Sequence, residues 1–129
     1  MKEEIIHRWL KKAENDIKVV SYLIDIEDAP TDIICFHCQQ AIEKYLKAFL
    51  TYVDVKAKKT HDLRALLEMC IEKDKDFLNL PIDDISNLTE YAVGIRYPDE
   101  FYLPSIEESR SSYNLAIKVR DFILKKLNF

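Results

Sequence analysis

One glycine in 129 residues, Gly94, restricts this chain more than any other feature. Tight hairpins rely on glycine to reach positive φ, so a chain this poor in glycine does not build a many-turned sheet. Four prolines are the only other strong punctuation. The pattern predicts long helices joined by a few breaks. It also excludes the G-x-S-x-G elbow and the glycine-rich phosphate loop, neither of which can be made from a single glycine. Apolar residues at 48% suffice for a helical core, and charged residues at 33% keep the outer faces wet. The length suits one core, so residues 1–129 are expected to form a single domain.

Apolar spacing places the helices. Ile6, Trp9, Ala13, Ile17, Val20 and Ile24 recur at threes and fours, predicting a first helix from Lys2 to Asp25 with Arg8, Lys11, Lys12, Asn15 and Lys18 toward water. After Pro30, Thr31 or Asp32 is expected to cap a second helix from Asp32 to Val53. That helix carries two adjoining stripes, one through Ile34, Cys38, Ala41, Tyr45, Ala48 and Tyr52, the other through Cys35, Ile42, Leu46, Phe49 and Val53. It therefore needs neighbours on two sides. Its narrow polar face holds Gln39, Gln40, Glu43, Lys44 and Lys47, with Glu43 and Lys47 ordered for an i,i+4 pair.

A lysine-rich connection leads to Thr60, read as an N-cap, with Asp62 in the first turn of a third helix lined by Leu63, Leu66, Leu67, Cys70 and Ile71. A helical turn is expected around Phe77 and Leu78. Pro81 opens a fourth helix through Ile82, Ile85, Leu88, Ala92 and Ile95, ending near Arg96. Pro104 and Ser105 start the last, with Ile106, Ser109, Tyr113, Ala116, Ile123 and Leu127 on one face. The expectation is an all-α, up-and-down antiparallel bundle of four to five helices.

No apolar run approaches the roughly 20 residues that cross a bilayer. The first residues alternate charge with apolar side chains, unlike a signal peptide, so a cytoplasmic protein is expected. Cys35, Cys38 and Cys70 then behave as small buried hydrophobes rather than disulfides. A formal net charge of -4 disfavours general adhesion to nucleic acid or anionic membrane.

Few residues carry a chemical signal. Cys35, His37 and Cys38 resemble a ligand cluster, but only the two cysteines share a helix face and no second pair completes a tetrahedral site, so no metal or cofactor is expected. Asp83 with Asp84, and Glu107 with Glu108, sit at helix starts, where the dipole accounts for them. His61 near a helix N-terminus either bonds its own loop or helps hold a phosphate. Lys44 and Lys47 are either solvated or phosphate partners. Arg96 either offsets a helix dipole or binds an anion, beside Tyr97, Phe101 and Tyr102, which either form a stacking platform or pack on the bundle or on a second copy of it.

Three segments in order resemble the HEPN domain family: Cys35-Phe-His-Cys-Gln-Gln-Ala-Ile-Glu-Lys-Tyr-Leu-Lys47, Thr60-His-Asp-Leu63 and Arg96-Tyr-Pro-Asp99. With the helix order, the resemblance spans roughly residues 5 to 126. It implies a four- or five-helix bundle, frequently a homodimer, often accompanying a minimal nucleotidyltransferase in a toxin–antitoxin-type pair. The chain is also similar to the helical C-terminal domain of aminoglycoside nucleotidyltransferases. Many relatives are ribonuclease toxins with four to six residues between an arginine and a following histidine, a pairing that stabilises phosphorane charge and moves a proton. After Arg96 those positions are Phe101, Tyr102 and Leu103, so the nuclease activity is not carried over and no catalytic residue is assigned. What the resemblance does imply is nucleotide or phosphate contact by Lys44, Lys47, His61 and Arg96, with Tyr97 as a stacking surface.

Overall fold

The computed structural model describes residues 1–94 and 101–129, and these are helical without strands. The helices are α1 (Lys2–Leu23), α2 (Thr31–Tyr52), α3 (Leu63–Lys73), α4 (Ile82–Asn87), α5 (Thr89–Gly94) and α6 (Ile106–Leu127), with a 3₁₀ turn at Lys75–Asn79. No helix among the described residues is long and apolar enough to cross a membrane.

Left-handed turns are still needed, and without glycine the chain uses its short polar residues. Asp28, Asp54 and Asn128 take φ of 58°, 60° and 61°, the region that aspartate and asparagine tolerate best among residues with a side chain. The first two lie in the connections after α1 and α2, and Asn128 caps α6.

On α1 and α2 the predicted stripes are the buried ones, whereas Ile106, expected on the inner face of α6, is exposed. Ile6, Ala13, Ile17 and Val20 face inward on α1, joined by Leu10, while Trp9 is half-buried. On α2 both stripes are covered, from Ile34 and Cys35 through Phe49 and Leu50, although Tyr52 is exposed. Cross-links give the directions. Lys2 meets Asp54 and Asp16 meets His37, so α1 and α2 are antiparallel. His7 stacks on Phe129 at 5.0 Å and Arg110 meets Asp25, so α6 is also antiparallel to α1. Hence α2 and α6 run in the same sense side by side, and α2 is the central post. Phe77 of the 3₁₀ turn lies between Phe49 of α2 and Phe122 of α6, at 4.6 and 4.8 Å between ring centres, closing the floor of the core.

Several local expectations need correction. Thr31 does not cap α2. It is the first helical residue, preceded by Pro30, and its hydroxyl donates to the Pro104 carbonyl at 2.7 Å, tying the start of α2 to the approach of α6. Thr60 does not cap α3 either. Asp62 does, accepting from the amides of Arg64 and Ala65, while the Thr60 hydroxyl accepts from the Asp62 amide. His61 thus precedes the cap instead of lying in the first turn. The fourth helix divides at Leu88 into α4 and α5, and the Thr89 hydroxyl accepts the Leu63 amide, an orphan donor at the start of α3. Ser105 caps α6 in a reciprocal box with Glu108.

Candidate functional site on the second helix

At 100° per residue, Gln39, Glu43, Lys47, Gln40, Lys44 and His37 fall in that order across one side of α2. This strip is not a solvated face. Gln39 has no exposed surface, and Glu43 and Lys47 are buried. α1 and the α2–α3 connection flank it and reach into it with a polar group each.

From α1 comes Asp16, a buried carboxylate on the edge of the apolar stripe. Its Oδ1 accepts from His37 Nδ1 at 2.8 Å, and its Oδ2 accepts from Lys44 Nζ at 2.6 Å. From the connection comes His61, whose Nδ1 lies 2.8 Å from Glu43 Oε1. Glu43 Oε2 accepts from Lys47 Nζ at 3.0 Å, the pair that the spacing predicts. Gln39 knits this second group together, donating to Glu43 Oε1 and to the His61 carbonyl at 3.1 Å, while Gln40 donates to Gln39 Oε1 at 2.6 Å. Lys47 Nζ also sits 5.4 Å from the centre of the Trp9 ring, a cation–π contact to α1.

The result is two matching units, each a buried carboxylate holding one lysine and one histidine. An ionised carboxylate only accepts hydrogen bonds, so in each unit the histidine donates from Nδ1, and Nε2 has no hydrogen-bond partner among the described residues. The His37 and His61 side chains are 28% and 48% exposed. Each imidazole is thereby fixed in tautomer by a carboxylate behind it and open to solvent in front.

Of the expected contact residues, Lys44, Lys47 and His61 come onto this strip. The two lysines are not solvated, as one reading of the sequence had it: each is bound to a carboxylate at its side. Arg96 and Tyr97 lie outside the described residues. Phe101 and Tyr102 are exposed, and the Tyr102 hydroxyl donates to Glu108 on α6. The contributions of Asp16, His37 and Gln39 are not predicted from sequence. Asp16 carries a legible signal, standing seven residues after Trp9 and so on the same edge of the apolar stripe. His37 carries none by itself, because its partner is 21 residues away.

Away from the strip a concavity of about 590 Å³ opens between α4–α5 and α6, lined by Asp84, Leu88, Tyr91, Glu108, Ser112 and Lys118 among others. Glu108 accepts there from Tyr102, from the Ser105 amide and from Tyr91 at 2.9 Å. The Tyr102 bond, with those of Ser105 and Tyr91, holds its carboxyl below the usual range. These bonds cap a helix and latch α5 to α6, which accounts for the group structurally. Beneath, Ser112 donates to the buried Cys35 thiol at 3.6 Å, and burial pushes that thiol up. Cys38 and Cys70 are buried as expected, Cys70 pushed up to about 12 by burial. Among the described residues no group of three histidine, cysteine or acidic side chains is placed to hold a metal ion.

The crystal structure of ST0689, an archaeal HEPN homologue, shares the fold with a TM-score of 0.71 at 22% identity, over 94% of this chain and 96% of that one. No curated protein matches the sequence. The HEPN domain family matches residues 6–127, nearly the whole chain. With the motif segment on α2 now seen as the builder of the polar strip, this chain belongs to the HEPN domain family.

Proposed function

We propose that the protein is a non-catalytic HEPN subunit that binds a nucleotide, or another phosphate-bearing ligand, on the polar strip of α2, and accompanies a minimal nucleotidyltransferase that does the chemistry. The observation that carries this reading is the pair of carboxylate–lysine–histidine units, which fix two ammonium groups and two imidazoles along one strip. Each lysine ammonium has three hydrogens and gives one to its carboxylate, so donors remain for ligand oxygens. The exposed run of Phe101, Tyr102, Leu103 and Ile106 supports self-association through that surface, giving a cytoplasmic homodimer in a toxin–antitoxin-type pair. Calorimetry with ATP and the other nucleotides, with and without the transferase, tests the reading. Heat on mixing and co-elution are expected; neither heat nor co-elution removes it.

One observation favours a second reading. A histidine oriented by a buried carboxylate is built for proton transfer, so the Glu43–His61 pair supports a ribonuclease with a displaced histidine and Arg96 as its cation. It predicts metal-free RNA cleavage that His61→Gln and Arg96→Ala each abolish. Purified protein that leaves RNA intact at high concentration disposes of it.

A further inference from the structure

The charges on the α2 strip cancel when the histidines are neutral. Asp16 and Glu43 carry two negative charges, Lys44 and Lys47 two positive ones, and each lysine is already in contact with a carboxylate. An oxyanion approaching the strip then meets attraction and repulsion of equal count at nearly the same place. Among the described residues only the two imidazoles can change that balance, and each is partly exposed with its Nδ1 held by a carboxylate.

We infer that the strip is a proton-coupled oxyanion site, in which His37 and His61, not the two lysines, supply the net positive charge that holds the ligand. This rests on the nucleotide-binding reading and adds to it the residue His37 and a condition for binding. His37 faces Asp16 from α1, Lys44 from its own helix and the edge of the Phe36 ring. His61 faces Glu43 and, across it, Lys47. Asp62 beside it is engaged at the α3 N-cap, and Arg64 is turned to Asp83. Protonating either imidazole leaves its carboxylate bond in place and turns Nε2 from acceptor to charged donor, so the strip gains one charge per proton without rearrangement. Binding and protonation are linked in both directions: a bound anion must raise the protonation midpoint of each histidine by as much as protonation tightens the anion. Affinity is therefore greatest with both imidazoles protonated and is lost as rising pH removes those protons.

Three histidines make the measurement direct. His7, on the outside of α1 against Phe129, is an internal control away from the strip. The imidazole resonances are titrated by NMR between pH 5 and 8.5, with and without sulfate, whose charge is constant over that span, and again with ATP. His37 and His61 are expected to rise by about one pH unit with saturating anion, matching about tenfold tighter binding per histidine at pH 5.5 than at pH 8; His7 stays put. The double variant His37→Gln with His61→Gln is expected to lose that pH dependence. Glu43→Gln, which removes the charge opposing Lys47, is expected to bind sulfate more tightly at pH 8. Anion that binds equally at both pH values with static histidines overturns the proton coupling and leaves the nucleotide-binding reading standing on the lysines. Neither sulfate nor ATP binding at any pH overturns both.

Discussion

Asp16 is the residue on which the most depends for its size. It is a buried charge whose two oxygens hold α2 through His37 and Lys44. Removing one partner of such a pair strands the other, so Asp16→Ala is expected to lower stability by about 3 kcal/mol. Adding Lys44→Met should recover part of that loss, since the stranded ammonium goes with it; urea melts of the single and double variants read the coupling. A double-variant loss equal to the sum of the losses of Asp16→Ala and Lys44→Met alone would mean the pair is not coupled. Glu108 predicts a pH effect. Its bonds to Tyr102, to the Ser105 amide and to Tyr91 lower its carboxyl, so its contribution is present above the ordinary glutamate value of about 4.3 and fades as pH falls below it. Asp74, lowered by the Lys126 ammonium and the Asp76 amide, acts in the same direction. Glu108→Gln should flatten the acid limb of a thermal-stability profile while leaving pH 7 to 8 little changed in shape.

Among the elements, α3 shows how a cap can serve a site. Asp62 closes the α3 N-terminus and so positions the preceding residue, His61, over Glu43. Asp62→Ala is expected to cost about 1 kcal/mol, the usual value of an N-cap, and to broaden or shift the His61 resonance while His37 stays unaffected. A loss of stability with an unmoved His61 would show that the Gln39–His61 bond alone places the imidazole. Sequence does not separate the two candidate caps, because Thr60 and Asp62 are both good N-caps two residues apart. Leu63 decides between them: with no exposed surface, it fixes where the helix must begin. The same competition explains Thr31, whose hydroxyl finds a carbonyl 73 residues away that no local pattern announces.

At the scale of the molecule, α2 is surrounded by α1, α3, α5 and α6, and its polar strip survives in that crowded position only because every charge on it is answered. Burial also sets the thiols. Cys35, Cys38 and Cys70 are covered, and burial raises all three. A thiol reagent at pH 8 is therefore expected to label the native protein slowly, at the rate of its opening, and to react with three cysteines at once in urea. Fast labelling of one cysteine in native protein would place that residue at the surface.

Helix positions, the two-sided burial of α2 and the Glu43–Lys47 pair follow from the sequence by itself, because they depend on periods of three and four residues that any helix imposes. The absence of glycine-dependent turns and phosphate loops follows as well, from one count. The strip's meaning was decided only by the tertiary structure. Asp16 and His37, or Glu43 and His61, are 21 and 18 residues apart in the chain, and nothing local tells a solvated lysine from one held by a buried carboxylate on another helix. Pattern along a helix is a short-range property; charge compensation in a core depends on which helices meet.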